Sequence, residues 1–219
     1  MEFDPDYRMS PEEVEEYERE IGELREKYRG KVEVVVGYEV DFTPLPHFNR
    51  STFDRSVDYF IGSVHFLDRW GFDNPEFIRE WERRRVEEVY EEYFYYLDQL
   101  VESGYFQIVG HLDLVKVFGH RPAGGVLKFV EPILKKIKRH GLVVELNSSG
   151  WRKPVGEPYP SPEIVRRMAD LGIPITFGSD AHALEQVGYR LPELVELAKG
   201  VGYREAVYFK KLTPYRYPL

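Results

Sequence analysis

The sequence predicts an α/β fold with parallel strands. Three observations predict it. Short apolar runs rich in β-branched residues alternate along the chain with longer segments whose apolar residues recur at three and four. Pro with acidic residues marks helix starts between those runs, and Gly marks helix ends. The polar residues of chemical interest fall just after the apolar runs, where the strand ends of a parallel sheet share one face.

The elements follow in order. Residues 4–29 are polar and acidic, with Val14, Tyr17, Ile21, Leu24 and Tyr28 at helical spacing. Ser10-Pro11-Glu12-Glu13 supplies a cap, a Pro at the first position and an acid three residues on, and Gly30 fits the helix end. Residues 32–38 read as a first strand, because Val34, Val35 and Val36 are consecutive as in a strand buried on both faces. Residues 59–64 are a second strand. Residues 74–103 read as one long helix, opened by Asn74-Pro75-Glu76 and closed by Gly104. Strands at 106–110, 142–146 and 174–177 alternate with helices at 127–139 and 161–171. A helix at 192–199 and a short sixth strand at 206–209 complete the order. Six strands suit an open sheet, or most of a closed barrel that needs one or two more. A chain that opens with a helix reads as a barrel entered in the middle.

Composition narrows the function. At ~150 residues per domain, 219 residues favour a single domain over 1–219. Hydrophobic residues are 42% and charged residues 31%, which excludes wholesale disorder and a membrane bundle. No apolar run approaches the ~20 residues that span a bilayer, and the acidic N-terminus is no signal peptide, so a cytoplasmic location is expected. Acids outnumber bases 38 to 30, a net charge of −8 that argues against a nucleic-acid partner but allows a small phosphorylated substrate. The absence of cysteine removes disulfides, iron–sulfur clusters, thiolate metal sites and cysteine nucleophiles together.

Glu39 follows the first predicted strand, His65 the second, His111 the third, Asn147 the fourth, and Asp180 and His182 the fifth. Glu, His and Asp are oxygen and nitrogen ligands that suit Mn²⁺, Fe²⁺ or Zn²⁺. Five such residues can hold two ions, and two close ions can supply hydroxide near neutral pH and clamp an in-line displacement at phosphorus. Each residue taken alone also has a structural reading, as a helix cap or a core histidine. Their shared place at the strand ends is the signal. Arg152 and Lys153, just past the fourth strand, are candidates for binding phosphate, Arg152 through a bidentate guanidinium. His120, beyond the third strand, is a candidate substrate contact. His140 sits where a helix C-terminus favours a histidine anyway, and His47 suggests nothing specific. The basic run at 135–139 reads as a solvated helix face.

Gly37-Tyr38-Glu39-Val40-Asp41, Gly62-Ser63-Val64-His65, Gly110-His111-Leu112-Asp113, Glu145-Leu146-Asn147-Ser148-Ser149-Gly150 and Gly178-Ser179-Asp180-Ala181-His182 occur in this order. Together they resemble the polymerase-and-histidinol-phosphatase (PHP) superfamily, and within it the histidinol-phosphatase branch. The segments Phe118-Gly119-His120-Arg121 and Tyr159-Pro160-Ser161-Pro162 add to the likeness. The resemblance implies a distorted (β/α)₇ barrel with two or three divalent metal ions at its strand ends. It implies Glu39, His65, His111, Asp180 and His182 as ligands, with Glu39, His111 and Asp180 catalytic, and Arg152 at the substrate phosphate. The implied reaction is hydrolysis of L-histidinol phosphate to L-histidinol and phosphate. A related substrate, such as another phosphomonoester or a nucleotide, and an inactive relative serving as a subunit are the alternatives.

The chain departs from that pattern at its start. Family members open with a strand ending in His-x-His and carry a further histidine after a second strand, whereas no histidine here precedes His47. The expectation is a barrel lacking its first one or two strands. A start codon assigned too late, a shortened gene, or a second chain that closes the barrel as an oligomer would each explain this, and the intact later motifs favour the first.

Overall fold

The computed structural model describes residues 9–44 and 50–219, so His47 lies outside the described residues. The chain divides into two units, residues 1–37 and 38–219. In the first, helix α1 spans Pro11–Lys27. The Ser10 hydroxyl accepts from the Glu13 N–H, and the Glu13 carboxylate accepts from the Ser10 N–H, so the predicted start forms as a reciprocal cap. The strand expected at 32–38 begins later, as β1 (Gly37–Asp41). Residues of α1 take a carbonyl before it and that of its first residue: Arg25 Nε donates to Val34 O at 2.7 Å and Tyr17 OH to Gly37 O at 3.1 Å. A β-branched run marks extended backbone but does not say what will bond to it.

The second unit continues with β2 (Tyr59–Ser63), β3 (Phe66–Leu67) and β4 (Trp70–Gly71). Helix α2 (Val86–Glu102), β5 (Ile108–Val109), α3 (Leu127–His140) and β6 (Val143–Asn147) follow. Then come α4 (Pro162–Leu171), β7 (Ile175–Gly178), α5 (Leu191–Gly200), β8 (Glu205–Lys210) and β9 (Thr213–Pro218). The main sheet has the order β1-β2-β5-β6-β7, and β2, β5, β6 and β7 pair in parallel. All five residues of β6 are buried, as in a parallel strand covered on both faces. Helices α2, α3 and α4 pack in succession. Helix α2 turns Val89, Tyr90, Tyr93, Phe94, Leu97, Leu100 and Val101 inward, each contributing roughly 1.5–3 kcal/mol by leaving water.

Two further expectations are corrected. Residues 74–103 form two elements, a 3₁₀ segment Pro75–Arg83 and then α2, with Arg84 and Arg85 extended between them. The 3₁₀ segment is fixed from its side chains, because Trp81 is buried and its indole N–H bonds Phe72 O at 3.0 Å. The predicted sixth strand exists as β8, but it pairs antiparallel with β9 and lies outside the main sheet. Packing attaches it instead: Val207 and Phe209 join Ile108 and Val143 in one core cluster. The hairpin turn, Lys211-Leu212, is left-handed at both residues, and both their N–H groups bond Asp58.

Candidate metal centre

Strand periodicity assembles the site. His65, His111 and Asp180 each stand two residues beyond the last residue of β2, β5 and β7. Glu39 and Asp41 are two apart on β1 and share a face, as do Glu145 and Asn147 on β6. Glu39, His65 and His111 each bring one ligand atom within 4.8 Å of the others. His111 Nε2 lies 2.9 Å from Glu39 Oε1 and 3.2 Å from His65 Nε2, and His65 Nε2 lies 3.7 Å from Glu39 Oε1. Their side chains are 39%, 24% and 3% exposed in that order, so the group opens to solvent at Glu39 and is walled in at His111.

Charge is balanced inside this group. Burial disfavours the charge on Glu39, but the hydrogen bond and charge of His111, aided by His65, outweigh it and hold the carboxyl well below its usual range. Burial also opposes a charged His65, and Asp41, bonded to its Nδ1, overrides it and raises the imidazolium pKa to about 10. His111 is raised in the same way by Glu39, against its burial. Asp73, whose carboxyl is raised by burial, adds a further acid facing His65 and His111.

The donor set fits a divalent cation. Two imidazole nitrogens and a carboxylate oxygen lie within 4.8 Å of one another, a donor set that suits Zn²⁺, Mn²⁺ or Fe²⁺. Coordination needs both imidazoles neutral, so uptake of metal must release protons. Metal affinity is therefore expected to rise with pH towards the His65 value of about 10. Calorimetry of Zn²⁺ binding in buffers of differing ionisation heat checks this, and a pH-independent affinity would refute it. In the metal-free protein the sign is opposite. The raised His65 pKa stabilises the fold fully below the unfolded value of ~6.5, and this contribution is lost as pH rises through about 10.

The other sequence candidates stand apart from the trio. Asp180 and His182 are not part of the close group. Asp180 has left-handed backbone, and His182 is 80% exposed with its Nδ1 3.0 Å from Asp180 O. Arg152 Nη2 donates to Ser179 O and Asp180 O at 2.9 and 2.8 Å, so it clamps the turn that carries Asp180. Its Nη1 is buried without a hydrogen-bond partner, and its guanidinium lies over the Tyr189 ring at 5.2 Å. Lys153 is exposed. The His120 ring stacks on Trp81 at 4.4 Å, and burial lowers its pKa.

Sequence reasoning missed a buried ionic knot behind the site. Lys116 and Asp113 are each 1% exposed and pair at 2.8 Å. Lys116 Nζ also bonds Glu157 Oε1 and Pro158 O, both at 2.7 Å, and Asp113 accepts from the Ser161 N–H. The knot ties the turn after His111 to residues 157–161, where Tyr159 packs edge-on to the His111 ring. Asp41 and Glu145 were also passed over, although their two-residue spacing from Glu39 and Asn147 was a usable signal.

A family model described as PHP domain matches residues 6–149, and one described as PHP-associated matches residues 163–191. The chain is 39% identical to the "Probable histidinol-phosphatase" of Deinococcus radiodurans over 97% of its own length and 82% of that protein. It is 28% identical to the histidinol-phosphatase of Bacillus subtilis, over 87% and 79% of the two chains. The crystal structure of histidinol phosphate phosphatase from Lactococcus lactis, complexed with zinc, L-histidinol and phosphate, superposes with a TM-score of 0.71. That match covers 92% of this chain and 79% of the other at 21% identity, and it shows a shared fold.

Proposed function

As the chain belongs to the PHP domain family, in its histidinol-phosphatase branch, we propose that it hydrolyses L-histidinol phosphate to L-histidinol and phosphate. The observation that carries this reading is the convergence of Glu39, His65 and His111 at neighbouring strand ends. The names of its relatives, and the ligands of the Lactococcus lactis structure, support the choice of substrate. The reading takes residues 1–219 as one domain placed in the cytoplasm. It takes β1, β2, β5, β6 and β7 as consecutive walls of a distorted (β/α)₇ barrel, because their order in the sheet follows their order in the chain.

Glu39, His65 and His111 hold the metal in this proposal, and Asp180 and His182 are the further ligands in a centre of two or three ions. A bound divalent ion supplies Lewis-acid polarisation of a phosphoryl oxygen and acidifies nearby water. Arg152, held at the Asp180 turn through Nη2, is the candidate to favour the charge that develops on a non-bridging phosphate oxygen. Asp41 orients the His65 ring through Nδ1, as a carboxylate behind a ligating histidine does. Lys153 and His120 are the remaining candidates for substrate contact.

Phosphate release from L-histidinol phosphate with added Mn²⁺ or Zn²⁺ is the test. Turnover is expected to vanish with a chelator and return with metal. A panel of sugar phosphates and nucleotides run alongside locates the specificity. Turnover of a nucleotide in place of L-histidinol phosphate would overturn the substrate assignment, and no turnover with any metal would overturn the activity.

A further inference from the structure

Glu145 is a carboxylate in the middle of a fully buried strand, and the proposed chemistry does not use it. Its Oε2 accepts two hydrogen bonds, from the backbone N–H of His111 at 3.1 Å and from Asn147 Nδ2 at 3.0 Å. Its other oxygen lies over Gly178, where a β-carbon would overlap Oε1 and crowd the carboxyl carbon. Glycine at 178 is thus required by the approach of Glu145, since Gly178 is not among the residues of positive φ. Residue 178 is also the last of β7, two before Asp180, and it is the ladder partner of Asn147. One carboxylate therefore meets the ends of β5, β6 and β7.

We propose that Glu145 is a positioning residue of the metal centre, which sets His111 by holding its backbone N–H and needs Gly178 to reach it. This rests on the reading of Glu39, His65 and His111 as metal ligands. Both hydrogen bonds fall on a single oxygen, so a glutamine can keep them through its carbonyl while losing the charge. Alanine loses both. Ligand-orienting groups of this kind typically change metal affinity by 10–100-fold.

The test compares the full chain with Glu145→Ala, Glu145→Gln, Gly178→Ala and the Glu145→Ala/Gly178→Ala double variant. Zn²⁺ affinity is measured by competition with a chromogenic chelator, and amide exchange at His111 is measured in the metal-free proteins. Glu145→Ala is expected to weaken Zn²⁺ binding by about 10–100-fold and to speed exchange at His111. Glu145→Gln is expected to stay close to the parent in both. Gly178→Ala is expected to weaken binding in the parent and to add little in the Glu145→Ala background. Parent-like affinity and exchange in Glu145→Ala would overturn the proposal. So would a Glu145→Gln as poor as Glu145→Ala, because charge and not the hydrogen bonds would then matter. A parent chain that binds no Zn²⁺ would instead overturn the metal-centre reading, with the exchange measurement still deciding whether Glu145 holds His111.

Discussion

Replacing His111 with alanine is expected to reduce metal-dependent phosphate release by about a thousandfold or more, near 4 kcal/mol of transition-state stabilisation. The imidazole is the centre of the trio, meeting Glu39 Oε1 at 2.9 Å and His65 Nε2 at 3.2 Å. Its removal leaves two ligand atoms 3.7 Å apart and two residues that no longer share a partner. The backbone N–H at 111 still has Glu145 to bond, so the fold should persist. Steady-state kinetics with saturating Mn²⁺, alongside circular dichroism, separates the two effects. Full activity in a folded variant would remove His111 from the site. Asp180→Ala is the natural companion, because Asp180 stands outside the close group and its loss of turnover would bring it into the chemistry.

Replacing Lys116 with methionine is expected to destabilise the protein by about 3–5 kcal/mol. Lys116 and Asp113 are both inaccessible, and the lysine serves three oxygens at once. Methionine matches its length and removes its charge, which leaves the Asp113 carboxylate buried without a cation. Urea unfolding of the metal-free protein measures the loss. The added change Asp113→Asn should recover part of it, since the amide oxygen can still accept from the Ser161 N–H. A single variant within about 1 kcal/mol of the parent would show that water reaches the knot.

The alternation of elements was legible because each short apolar run and each helix start carries its own local chemistry. Strand boundaries were less so. The Val34–Val36 run was read as ladder, but Arg25 and Tyr17 of α1 had claimed the neighbouring carbonyls, and contacts of that kind leave no local trace. The pairing of β8 was hidden for a related reason. Its buried residues pack into the core whichever strand it bonds, and its partner β9, exposed at all six residues and carrying Pro214 and Pro218, has only the short Tyr215-Arg216-Tyr217 alternation to betray it. At the site, Glu39, His65 and His111 were found from their strand-end positions, and the structure brings them together. Lys116 was invisible, because a lysine in a short turn reads as solvated until the chain brings Asp113 and Glu157 around it.

The two-residue offset of His65, His111 and Asp180 from their strands has a consequence for how such a chain can change length. A residue added to or deleted from the end of β2, β5 or β7 would swing the ligand to the opposite face, as alternation demands. The exposed turns between strands and helices carry no such phase. Insertions and deletions are therefore tolerated in the connections and excluded from the few residues that lead into the site, so that the spacing from strand to ligand stays fixed while the spacing between ligands can drift.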